Sequence, residues 1–171
     1  MLDTKRLLRV GLAKAKEQAA WLEGISITQS AGAPIERVRI RVVAARYDLA
    51  REMKKQCSYS DAASTAMQRL TISRSYYAMY HASRAAAYLY YQGDDHQQHS
   101  DLPQRMPPDL PNSGVWGNQL KSAREYRNQA DYDPYPKSNK YWKAIAEAVS
   151  HDAASFLPIV KLYLRDKGCA V

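Results

Sequence analysis

Arg74 and His81 stand seven residues apart in the segment Ser73-Arg74-Ser75-Tyr76-Tyr77-Ala78-Met79-Tyr80-His81-Ala82-Ser83-Arg84-Ala85. That is about two turns of an α-helix, so both side chains leave one face, with Tyr77 between them. An arginine and a histidine so disposed can divide the work of metal-independent RNA cleavage. His81 would take the proton of a ribose 2′-hydroxyl, and Arg74 would neutralise charge on the phosphorane, leaving a cyclic phosphate. The competing reading is structural: His81 and Tyr77 pack between helices while Arg74 pairs with Asp131 or another carboxylate. Other chemistries lack their residues. There is no glycine-rich phosphate loop, no G-x-S-x-G elbow and no acidic pair in a glycosidase context. His96 and His99 sit in a polar loop without a second ligand cluster. No cofactor and no metal is therefore expected.

The elements that must position these residues read as helices throughout, because apolar residues recur at helical spacing and no run alternates as a strand. The expectation is an all-α bundle of about five main helices. The first should start after Asp3, turn Leu7, Leu8, Leu12, Ala15, Ala19 and Leu22 inward, and end at Gly24. Residues 24 to 34 form a hinge. A second helix opens after Pro34 with Val38, Val42, Ala45, Leu49 and Met53 on its inner stripe, and a basic outer face that includes Arg37 and Arg41. The third, carrying Arg74 and His81, should run from an Asp61 cap to Gln92, where Gly93 can adopt the left-handed conformation. Pro103, Pro107, Pro108 and Pro111 then force a long irregular connection, expected to act as a lid. A fourth helix follows Ser113, with Trp116, Leu120, Ala123 and Tyr126, and stops at Asp133-Pro134-Tyr135-Pro136. Ser138 caps the last helix, which holds Trp142, Ile145, Val149, Phe156 and Leu162 and should bend at Pro158. The spans 61–92 and 138–166 are expected to form a long antiparallel pair.

The chain has 171 residues, enough for one domain with a real core. Its 25 Lys and Arg against 17 Asp and Glu leave a formal charge of +8, which favours an anionic partner such as nucleic acid. Thirteen Tyr against one Phe mean that many helix contacts carry a polar tip. Cys57 and Cys169 make neither a disulfide framework nor a metal spacing, which fits a reducing cytoplasm. The first residues alternate apolar with charged, unlike a secretory signal or a membrane span, so no membrane partner is expected.

Three motifs carry a resemblance over residues 35–166. They are the SRSYYAMYHASRA helix, the His99-Ser100 pair, and Tyr126-Arg127-Asn128-Gln129-Ala130-Asp131-Tyr132-Asp133. In order and spacing the chain resembles the HEPN family of small helical proteins associated with RNA cleavage and nucleotide binding. The resemblance implies a HEPN-like domain at 35–166, an appended helix and hinge at 1–34, and a tail at 167–171. It implies a homodimer with a shared basic groove, and a protein partner such as a minimal nucleotidyltransferase antitoxin. It also implies a role as the toxin or effector half of a prokaryotic toxin-antitoxin or defence system. RNA-cleaving members use an R-x4-6-H motif, and Arg127 followed by the polar Asn128 matches its start. Where the histidine would fall the chain has Tyr132, and a phenol with a pKa near about 10 is a poor base at neutral pH. Cleavage is therefore expected to be weak or absent. The candidate catalytic residues are Arg74, His81, Arg127 and Tyr132. Arg74, Tyr77, Arg84, Arg127, Asn128, Arg37 and Arg41 are candidates for RNA or nucleotide binding. Non-catalytic interaction module and active endoribonuclease are the alternatives.

Overall fold

The computed structural model describes residues 15–30, 32, 34–56, 63–93, 96, 98–135 and 137–171. All regular structure among them is helical: α1 Ala15–Ser30, α2 Ile35–Gln56, α3 Thr65–Tyr90, a 3-10 turn Leu102–Arg105, α4 Ser113–Tyr132 and α5 Asn139–Asp166. The chain divides into two units, residues 1–38 and 39–171, the division falling within α2 a few residues past the expected boundary at 34/35.

In the first unit α1 runs through Gly24 and on to Ser30. A glycine inside a helix costs only about 1 kcal/mol against alanine, too little to end it. The left-handed turn belongs instead to Gly32, at φ +60°. Ala15, Ala19 and Leu22 are exposed and not inward as expected, since no described element of this unit covers them. Asp3, Leu7, Leu8 and Leu12 lie outside the described residues, as do Cys57, the Asp61 cap, Asp94, Asp95 and Pro136.

The second unit is a bundle whose successive helices alternate in direction. Ser64 opens α3 by accepting a hydrogen bond from the Met67 amide, and Ser138 opens α5 in the same way through Tyr141. Arg69 of α3 reaches the Ala130 and Asp133 carbonyls at the end of α4, whereas Tyr77, about two turns further along α3, meets the earlier Arg127, so α4 runs opposite to α3. Thr65 bonds Asn139, and the Arg69 guanidinium lies over the Trp142 ring, so the starts of α3 and α5 lie together. These two long helices, which pack on each other more extensively than any other pair, are therefore parallel, correcting the expected antiparallel pairing. With one intervening helix between them, two reversals of direction return the chain to its starting direction. α2 runs opposite to both, through Arg46 over Tyr88, Met53 against Arg74 and Tyr47 bonded to Leu157.

The inner stripe of α2 is Val43, Tyr47 and Ala50, while Leu49 and Ala45 face outward. The stripe is turned because Tyr47 is a core residue: its ring is buried and its hydroxyl donates to the Leu157 carbonyl at 2.9 Å. On α5, Trp142, Val149 and Phe156 are buried but Leu162 is exposed, with Tyr163 and Leu164 taking the inner face. The helix continues through Pro158. Residues 167–171 are tied down: Gly168, at φ +85°, closes α5, Cys169 is buried, and Arg165 Nε donates to the Val171 carbonyl.

The proline-rich connection is a packed wall and not the expected lid over its described part. Leu102, Met106 and Leu110 are buried, and α4 presses on the turn at Gly117. A Cβ at Gly117 would stand 2.5 Å from the Pro103 carbonyl oxygen, a backbone atom that cannot swing aside. Gly117→Ala should therefore destabilise the fold by roughly 1–3 kcal/mol in chemical denaturation. An unchanged midpoint would show that this approach is looser than described.

Candidate functional site

Helical spacing on α4 places Arg124, Arg127 and Asn128 on one face. The packed wall brings His99 and Ser100 opposite them, and α3 supplies Tyr76 at the back. These six residues line a cleft of about 330 Å³. No carboxylate is among them. Tyr76 is 1% exposed, and its hydroxyl lies 2.5 Å from His99 Nδ1. The His99 ring stacks on Tyr80, centroids 4.1 Å apart and planes 9° from parallel. Two tyrosines one turn apart on α3 thus hold the histidine by an edge and a face.

Arg127 is held from four sides. Its Nη2 donates to Tyr77 Oη at 2.6 Å, Nη1 donates to Asn128 Oδ1 at 3.1 Å, and Nε lies 2.7 Å from Asp131 Oδ2. The last contact is an ion pair whose N–H is not well aimed at the carboxylate. The guanidinium also stacks over the Tyr77 and Tyr132 rings. Desolvation works against its charge, and Tyr77, Asp131 and Tyr132 outweigh that, so its pKa is raised. Desolvation, followed by the charges of Arg127, Arg124 and Arg84, lowers the His99 pKa, so the ring is neutral at pH 7. Burial raises the Tyr76 pKa, with Tyr80 adding to the effect.

Arg74 and His81 are not joined. The polar contact of Arg74 is with Met53 Sδ at 3.3 Å on α2, and among the described residues none links it to His81. Asp131 is taken by Arg127, not by Arg74, because α4 packs on the Ser73–Tyr77 side of α3. His81 stacks on Tyr77 and meets Tyr80 edge-on. Burial, then the charges of Arg84, Arg46 and His99, push its pKa down to about 4. Such a group is neutral at pH 7 but a weak base. Arg84 lies over the Tyr80 ring outside the cleft lining, and Tyr132 is 70% exposed beside Arg127. Arg41 is exposed on α2 away from the lining residues, and Arg37, in the first unit, is exposed.

Sequence reasoning missed Tyr76, His99, Ser100 and Arg124 as site residues. Arg124-x-x-Arg127-Asn128 carries a usable signal, since that spacing alone sets two guanidiniums on one face. His99 has no such helical spacing and stands out only with Ser100, as a motif of the resemblance. Among the described residues no group of three His, Cys, Asp or Glu side chains is placed to hold a metal ion, and no helix is long and apolar enough to cross a membrane. Comparison with protein-family models, with curated proteins and with solved structures finds no match.

Proposed function

We propose that the chain is a HEPN-like RNA- or nucleotide-binding protein, the toxin or effector component of a cytoplasmic toxin-antitoxin or defence system, with little or no ribonuclease activity. One observation carries the reading. The three motifs behind the resemblance contribute Tyr76, His99-Ser100 and Arg127-Asn128 to a single cleft, and Arg124 adds a second guanidinium there. Guanidiniums present paired N–H donors that match phosphate geometry. The exposed Tyr132 ring beside Arg127 offers a face for a base. The net charge of +8 favours approach of such a ligand. A homodimer and a nucleotidyltransferase partner belong to the same proposal. A monomer at micromolar concentration in light scattering would count against the pairing.

Little cleavage is expected because His81 is a weak base not joined to Arg74 and Tyr132 stands where the motif histidine would be. Purified protein incubated with structured and single-stranded RNA in EDTA should release no more product than an identically prepared Arg124→Ala, Arg127→Ala variant. Robust EDTA-resistant turnover absent from that variant would make the protein an endoribonuclease and reject the low-activity reading.

A further inference from the structure

Two hydrogen bonds among the lining residues decide which of their atoms are left for a ligand. Tyr76 is buried and stays protonated, and among the described residues His99 Nδ1 is the partner of its hydroxyl. The phenol O–H must therefore donate to Nδ1. A neutral imidazole has one ring proton, so with Nδ1 accepting, the proton sits on Nε2. His99 then offers the cleft an N–H and not a lone pair. The same reasoning orients Asn128: its Oδ1 accepts from Arg127 Nη1, which leaves the Nδ2 amide, with two N–H groups, for a ligand.

Arg124 completes the wall. Among the described residues it has no hydrogen bond or ion pair, and its Nε is withdrawn from solvent. Ser100 is the exception to the donor character, since its hydroxyl proton is committed to Asp101 Oδ1 at 2.9 Å and its lone pairs remain. The lining holds two guanidiniums, an imidazole N–H and an amide NH₂, with the buried Tyr76 beside them. A phosphate monoester presents three terminal oxygens to such a set of donors, whereas a phosphodiester has only two non-bridging oxygens to offer them.

We infer that the cleft is a phosphomonoester site, in which Arg124, His99 Nε2–H and Asn128 Nδ2 hold the terminal phosphate of a nucleotide or of a 5′-phosphorylated RNA end. The inference rests on reading this cleft as the RNA or nucleotide site. His99 is a hydrogen-bond donor set by Tyr76 and does not accept a proton from the ligand.

The test is titration calorimetry of the full chain with 5′-AMP, adenosine, and one short RNA carrying either a 5′-phosphate or a 5′-hydroxyl. At least one phosphorylated ligand should bind about tenfold or more tightly than its hydroxyl counterpart, as loss of charge-assisted hydrogen bonds requires. Tight AMP points to a free nucleotide, and tight 5′-phosphorylated RNA alone points to an RNA end. His99→Ala should abolish most of the preference. His99→Gln, which keeps an N–H donor on an exposed residue, should restore it to within about threefold. Nitrogen-15 NMR should show His99 protonated at Nε2, and Tyr76→Phe should redistribute that proton and weaken only the phosphorylated ligand. Failure of every RNA and nucleotide to bind overturns the underlying reading. Binding that ignores the terminal phosphate, or a His99 protonated at Nδ1, overturns the phosphomonoester site alone.

Discussion

Replacing Arg124 and Arg127 together by alanine should weaken RNA or nucleotide binding by a hundredfold or more. A hydrogen bond to a charged group contributes about 1.5–3 kcal/mol, or roughly ten- to a hundredfold in affinity for each guanidinium removed. The two residues are one turn apart and share a ligand, so their effects need not add. Arg127 contributes twice, because its loss also frees Asn128 from the bond that turns its amide toward the cleft, and leaves Asp131 without its cation. The salt dependence of the remaining binding should flatten, since fewer phosphate charges are neutralised. Fluorescence anisotropy at about 50 and 200 mM salt reads both effects. Arg74→Ala is the comparison: its side chain lies against Met53 on α2, so affinity should change by less than about threefold. Unfolding of the double variant should stay cooperative, because Arg124 and Arg127 stand at the cleft and not in the core. Equal losses from Arg74→Ala and the double variant would place binding elsewhere.

Phe156→Ala should destabilise the second unit by about 3–5 kcal/mol, the range for an aromatic side chain removed from a close-packed core. The Phe156 ring is fully buried, with Trp116 of α4 at a centroid distance of 5.0 Å, in the cluster that also takes in Val43 and Tyr47 of α2 and Met79 of α3. Its loss opens a cavity among elements that cannot all relax into it. Leu162→Ala on the same helix should cost within about 0.5 kcal/mol, because that side chain is 61% exposed. Urea denaturation of the two variants separates these cases. Similar midpoints would mean that α5 presents a different face to the bundle.

The same two residues show where sequence alone stops. Both fit an apolar repeat on the last helix, and helical spacing accepts either as core. Repeat and caps together did locate the elements. Ser64 and Ser138 cap α3 and α5, Asn112 precedes α4, and Asp133-Pro134 ends it, each within a few residues of where local signals put it or at the same place. The capping residue at α3 differs from the expected Asp61 because the neighbouring candidates, Asp61 and Ser64, offer equivalent side-chain oxygens. Arg127 and Asn128 were likewise legible, as an arginine and its polar neighbour within a recognisable motif.

By itself, then, the chain determined that it is helical and, to within a few residues, where α3, α4 and α5 start and stop, because period, capping and proline geometry act over a few residues. Only the tertiary structure decided that α2 turns Tyr47 inward, that α3 and α5 run parallel, that Asp131 answers Arg127 and not Arg74, and that His99 joins the cleft. Those outcomes depend on what packs across from each residue, and a tyrosine, alanine or histidine suits a core, a surface or a site equally until a second element arrives to supply its contacts and hydrogen-bond partners.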